Sequence, residues 1–146
     1  MKKLDNFSNC LGDLKEADFT MADNDVIYRT GVIVQFNLSF ELAWKALQAA
    51  LRLHGVESAE TGSPREILQL GYKAGFVNDD SVWLTMLKKR NMIAQVYDED
   101  EARKMLLLIR DSFIPALSDL EKTLYEKVRG VRMSKLYEGM AYKLYR

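Results

Sequence analysis

An all-α, up-and-down bundle of four main helices and one additional short helix is the fold class this sequence predicts. Apolar residues recur at three- and four-residue steps over long stretches, the repeat of a helix with one buried face. No run alternates with the period of two that a half-buried strand would show. Only two prolines and eight glycines occur, and Gly55, Pro64 and Gly75 punctuate the periodic stretches.

The first helix is expected from about Leu4 to Met21, with Phe7, Leu11, Leu14 and Asp18 on one stripe. Ala22-Asp23-Asn24-Asp25 breaks it and supplies N-cap candidates for the next. The second helix runs from about Val26 to His54. Its apolar face is Ile33, Phe36, Phe40, Ala43, Leu47, Ala50 and His54, widened by Val34, Leu38, Leu42 and Ala49, which predicts cover on more than one side. Gly55 closes it, because glycine takes the left-handed cap conformation cheaply. Ser63-Pro64-Arg65-Glu66 reads as a capping box that starts a short helix ending near Gly75. Asn78-Asp79-Asp80 opens the fourth helix, which carries Val82, Trp83, Met86 and Leu87 into the segment Arg90–Tyr97. Asp98-Glu99-Asp100-Glu101 turns the chain into a fifth helix, striped by Ala102, Met105, Leu106, Ile109, Phe113, Ala116, Leu117, Leu120 and Leu124. Pro115 should kink it, since proline removes a backbone donor and crowds the preceding turn.

The 146 residues fit one bundle domain over residues 1–128, followed by a basic tail, 129–146. A chain of this size buries roughly 68–70% of its unfolded surface and needs no disulfide or metal staple. Hydrophobic residues make up 48% and charged residues 29%, too apolar a mixture for disorder. Lys plus Arg and Asp plus Glu both number 21, so the mean charge does not point to nucleic acid. The distribution is uneven. Residues 127–146 hold six basic side chains against Glu138 alone, a net +5, which leaves −5 on residues 1–126. Contact of this tail with RNA phosphates, and an amphipathic helix docked on the bundle or on a partner, are both open readings.

Cys10 is the sole cysteine and His54 the sole histidine, so no His/Cys metal cluster and no disulfide framework can be built. No signal-like segment and no apolar run near 18 residues is present, so a cytoplasmic protein with no membrane association is expected. Phosphate loops, paired-histidine motifs and nucleophile elbows are absent, and no cofactor is expected. Cys10 reads as a semi-buried small hydrophobe, and His54 as a helix-end residue near the last carbonyls. Phe36, Phe40 and Trp44, spaced by four, read as a core-facing ladder, while Glu41 and Lys45 read as an i,i+4 pair on a solvated face.

Five separated blocks then carry a resemblance. Gln35–Leu47, Ser63-Pro64-Arg65-Glu66, Lys73-Ala74-Gly75, Val82-Trp83 and Arg90-Asn91…Tyr97-Asp98-Glu99 resemble, in order and spacing, the nucleotidyltransferase substrate-binding proteins. Those proteins belong to the HEPN superfamily, relatives of the HepT toxins, and the resemblance covers roughly residues 4–126. It implies a four-helix bundle, a homodimer, and a partner: a minimal nucleotidyltransferase encoded nearby. In toxin members an Arg, four to six residues, a His and a Tyr two further on form a metal-free RNase motif, and the partner silences it by transferring AMP to the Tyr. Here Arg90 takes the Arg position, Tyr97 the Tyr position, and Gln95 the His position.

That departure has a chemical consequence. A metal-independent RNase must move a proton near neutral pH, which a histidine of pKa about 6.5 can do and a glutamine amide cannot. Losing such a group commonly costs about 10²–10⁴ in rate. On one regular helix Arg90 and Tyr97 lie within roughly 20° of each other, whereas Gln95 lies roughly 140° from Arg90. Arg90 and Tyr97 could still hold an anion, by a bidentate fork and a hydroxyl. An alternative pairs Arg90 with Asp98 or Glu99 at a helix end.

The expected site is therefore Arg90, Asn91, Gln95, Tyr97 and Asp98, a binding segment with Tyr97 as the modification point and no working catalytic residue. The expected function is a non-catalytic partner subunit of a minimal nucleotidyltransferase in a toxin–antitoxin-like pair. The alternative is a metal-independent ribonuclease toxin using Arg90, Gln95 and Tyr97. Leu107, Leu108 and Ile114, partly off the fifth helix's main stripe, could form a dimer surface.

Overall fold

A computed structural model describes the backbone of residues 1–90 and 97–145 and the side chains of 1–90 and 97–141. Among the described residues the regular structure is all helical, with no strand. Helix α1 spans Lys2–Lys15, α2 Phe19–Asn24, α3 Val26–Leu53, α4 Pro64–Lys73, α5 Asp80–Lys89, α6 Glu99–Leu108 and α7 Ile114–Tyr145. A 3₁₀ turn at Glu57–Ala59 leads into α4, and a π turn at Ile109–Phe113 joins α6 to α7 without a break.

The first expected helix is in fact two. Asp18 does not continue the apolar stripe; its carboxylate caps α2, accepting from the Met21 N–H at 3.0 Å. Its own N–H donates to the Tyr28 hydroxyl at 2.8 Å, which ties the break to α3. A short polar side chain that can satisfy orphan amides outcompetes helix continuation here. The break before α3 correspondingly shrinks to Asp25, which caps through the Tyr28 N–H.

Helix α3 is the central post, about 42 Å long at 1.5 Å per residue. Ile33, Phe36, Phe40, Ala43, Leu47 and Ala50 are buried as their spacing requires. The second covered side is made by Val32, Ser39, Ala46 and Leu51 rather than by Val34 and Leu38, which remain exposed. Helix α1 runs antiparallel to α3 and to α7. Gln35 Nε2 donates to the Cys10 carbonyl at 3.1 Å, Ser8 Oγ to Glu121 at 2.6 Å and the Tyr125 hydroxyl to Asp5 at 3.0 Å. At the far end of α3, Gly55 takes a φ of +80° and His54 is the C-cap residue, its ring Nε2 meeting the Lys127 carbonyl of α7 at 3.1 Å rather than the last carbonyls of its own helix.

The capping box forms as read, with the Glu66 N–H donating to Ser63 Oγ and Glu66 reaching back. Pro115 acts through the π turn. An α-turn would drive its ring into the Asp111 carbonyl, and widening the preceding turn relieves that clash while keeping one helix. Ile109 and Phe113 both stay in the core, and Phe113 stacks on Phe36 with ring centroids 4.9 Å apart.

Val128 is the last buried residue of α7 among the described residues. The helix continues beyond it to Tyr145, and residues 132–141 are exposed on every side. Among the described residues, no helix is long and apolar enough to cross a membrane.

Candidate functional site

The aromatic ladder of α3 sets up the site. Phe36 and Phe40 are fully buried, and Phe40 lies 6.2 Å from Trp83 of α5, fixing α5 against α3. Trp44, one turn further, is only half-buried, and its indole N–H donates to Glu41 Oε2 at 3.0 Å. Helix α5 starts at the Asp79 cap and ends with Arg90 as its C-cap residue. That position carries the Arg90 side chain back over α3.

Arg90 pairs with Glu41 there. Its Nη1 donates to Glu41 Oε1, and the guanidinium sits 5.5 Å from the centre of the Phe40 ring. The helix-end pairing with Asp98 or Glu99 is not what the structure shows, and Glu41 is engaged by Arg90 and Trp44 rather than by Lys45. Lys45 instead lies 5.9 Å from the Trp44 ring. A planar fork satisfies a carboxylate and an aromatic face together better than an ammonium, which explains the choice of cation. Arg90 Nε and Asn37 Oδ1, one turn before Glu41 on α3, are buried without a hydrogen-bond partner among the described residues. Glu41 of α3 thus meets the cation at the end of α5 above the Phe40 ring, with Asn37 one turn before it on the same helix.

Across the segment from Arg90, Tyr97 is 89% exposed, so its hydroxyl stands in water. Asp98 follows as the N-cap of α6, accepting from the Asp100 and Glu101 amides at 3.1 and 3.2 Å. With Glu99, Asp100 and Glu101 in the first turn, the positive end of α6 is already met by carboxylates and is a poor seat for a phosphate. Among the described residues of this segment, Arg90 is therefore the group suited to hold an anion. Asn91 and Gln95, two of the expected site residues, lie outside the described residues.

Two participants escape the sequence reading. Local spacing assigns Glu41 to Lys45, and only the long-range packing of Phe40 on Trp83 brings Arg90 to it. Arg29, 3% exposed, gives no signal in the sequence. Its Nη1 donates to the Ala22 and Asp23 carbonyls at the end of α2, both at 3.0 Å, and its Nη2 stands 4.0 Å from Glu99. It joins the start of α6, just past Tyr97, to the α2–α3 corner. Among the described residues no cluster of three His, Cys, Asp or Glu side chains could hold a metal ion.

A family model described as nucleotidyltransferase substrate binding protein like matches residues 2–126, most of the chain. The chain belongs to that family. The matched span takes in α1 to α6 and the packed part of α7, with Glu41, Arg90 and Tyr97 inside it, and leaves the exposed basic end of α7 outside. A crystal structure of a protein from Thermus thermophilus is similar in fold, at 27% identity and a TM-score of 0.63, over 86% of this chain and 98% of that one. No curated protein matches. Family membership makes this a nucleotidyltransferase substrate-binding protein and supports a nucleotidyltransferase as its partner.

Proposed function

We propose that this nucleotidyltransferase substrate-binding protein is the non-catalytic partner subunit of a minimal nucleotidyltransferase encoded nearby, in a toxin–antitoxin-like pair. In this reading it presents the Arg90–Asp98 segment to the enzyme and accepts AMP on Tyr97. The observation that carries the reading is the contrast between its two ends: Arg90 held by Glu41 on the Phe40 ring, and Tyr97 standing 89% exposed. A fixed cation suits recognition of a nucleotide phosphate or of an enzyme's acidic loop. An exposed phenol suits modification, because the enzyme must bring the α-phosphorus of ATP to its oxygen. The tyrosyl oxygen would form the new O–P bond, pyrophosphate would leave, and a base on the enzyme would take the phenolic proton.

The HEPN-type reading as a metal-independent ribonuclease is less well supported. Gln95 cannot titrate, so the segment lacks the proton-moving group that cleavage at a scissile phosphate needs. Co-expression with the neighbouring nucleotidyltransferase tests the reading. Co-purification of the two chains is expected, and intact-mass measurement after incubation with ATP should show one AMP added to wild type and none to Tyr97→Phe. Separate elution of the two chains would remove the partner role. Growth arrest on expressing this chain alone, relieved by Arg90→Ala, would favour the ribonuclease instead.

A further inference from the structure

The exposed end of α7 is more than a charged extension. Met133, Leu136, Tyr137 and Met140 are between 43% and 62% exposed, and at 100° per residue they share an arc of roughly 100°. Arg129 and Arg132 lie on or beside this stripe, while Lys135 and Glu138 fall on the opposite face. Among the described residues nothing in the same chain covers it, since residues 132–141 are exposed on every side. A free-standing helix of this length, interrupted by Gly130 and Gly139, is marginal in water. A surface that receives the stripe would supply the missing stability.

The bundle holds a complementary surface. A groove of about 390 Å³ lies between the end of α1 and the first turns of α3. Its floor and walls include Ala17, Ile27, Gly31 and Val32, with Ile27 82% exposed, and Asp13 and Glu16 stand among its lining side chains. Lys15, the nearby cation on α1, is turned to Glu121 of α7 at 3.6 Å and does not offset these acids. Gly31 is unusual in mid-helix, where glycine costs about 1 kcal/mol against alanine. A Cβ there would meet nothing within 4 Å, so packing inside the chain does not demand it; close approach of another helix would.

The dimensions agree. Ile27 to Gln35 spans about 12 Å of groove, and Met133 to Met140 about 10 Å of stripe. The tail cannot reach its own groove, because α7 leaves the bundle beside His54, about 40 Å along α3 from Ile27. We infer that the basic amphipathic end of α7 docks into the acid-bearing apolar groove of a second copy of this chain, the two tails exchanging reciprocally about a two-fold axis. This goes beyond the partner role proposed above and does not depend on it.

Disulfide trapping in the full chain tests the exchange, in a Cys10→Ser background to remove the native thiol. Gly31→Cys and Leu136→Cys variants are prepared separately and mixed under mild oxidation. The expected result is a cross-linked heterodimer in the mixture, with little self-linking of either variant. Asp13→Lys with Glu16→Lys should cut its yield several-fold. Gly31→Gln in an otherwise native chain should shift the protein toward monomer in sedimentation, with a loss of helical circular-dichroism signal no larger than the released end of α7 accounts for. No mixed cross-link, tail-to-tail linking of Leu136→Cys alone, or capture of the tail by phosphatidylglycerol vesicles in place of cross-linking would each overturn the inference.

Discussion

Glu41 and Arg90, 49 residues apart in sequence, form an ion pair whose carboxylate also accepts from the Trp44 indole at 3.0 Å. The pair joins the middle of α3 to the C-cap of α5, at the edge of the segment on which the proposed function rests. Its two side chains are 39% and 21% exposed, so solvent screens the attraction and the pair contributes order more than stability. Glu41→Gln should lower unfolding free energy by no more than about 1 kcal/mol in urea titration. The same variant removes the carboxylate that holds the guanidinium in position, so it should weaken partner binding while leaving the fold intact.

The core is tighter than its glycines suggest. At Gly71 an added Cβ would come within 2.8 Å of Leu47 Cδ2 and 3.2 Å of Val77 Cγ2. Gly71→Ala should therefore destabilise by about 1–3 kcal/mol through overpacking. Gly12→Ala, where nothing lies within 4 Å, should instead stabilise α1 by roughly 0.5–1 kcal/mol. Paired thermal melts check the opposite signs.

Phe36 sits between Phe40 and Phe113, stacked on the latter across the π turn. Phe36→Ala should cost about 3–5 kcal/mol, measured by chemical denaturation. Because Phe40 also floors Arg90, a loss of partner binding in this variant beyond its loss of folded protein would show that the core positions the site.

Acid should loosen the start of α5. Asp79 is held below its ordinary pKa of 3.8 chiefly by the Ser81 hydroxyl, then by the Ser81 amide. A carboxyl with a lower pKa folded than unfolded stabilises fully above the unfolded value and loses that contribution as pH falls through the folded value. Asp79→Asn should thus flatten the stability profile below about pH 3.8, leaving its neutral limb nearly parallel to wild type. Denaturant midpoints across the acid range check the slope.

Most of the helical framework is legible in the sequence because it rests on local rules. The Ser63–Glu66 box, the Gly55 and Gly75 ends, the Asp79 and Asp98 starts and the α3 and α7 stripes each follow from a few neighbouring residues. What the sequence hides depends on distance. Asp18 looks like the next stripe residue until Tyr28 of another helix takes its amide. Glu41 has a suitable cation four residues away, and only the tertiary packing of α5 brings Arg90 as the stronger partner. Arg29 gives no periodic signal as a buried cation, because the carbonyls that satisfy it belong to the end of α2. Tyr97 can be picked out from its motif, whereas its exposure cannot.

Isothermal titration of the chain with the nucleotidyltransferase encoded beside it tests the central claim most directly. The account predicts saturable one-site binding for wild type and at least about tenfold weaker binding for Arg90→Ala, a loss of roughly 1.4 kcal/mol. Absence of heat and of complex with wild type, or equal affinity for Arg90→Ala, would contradict it.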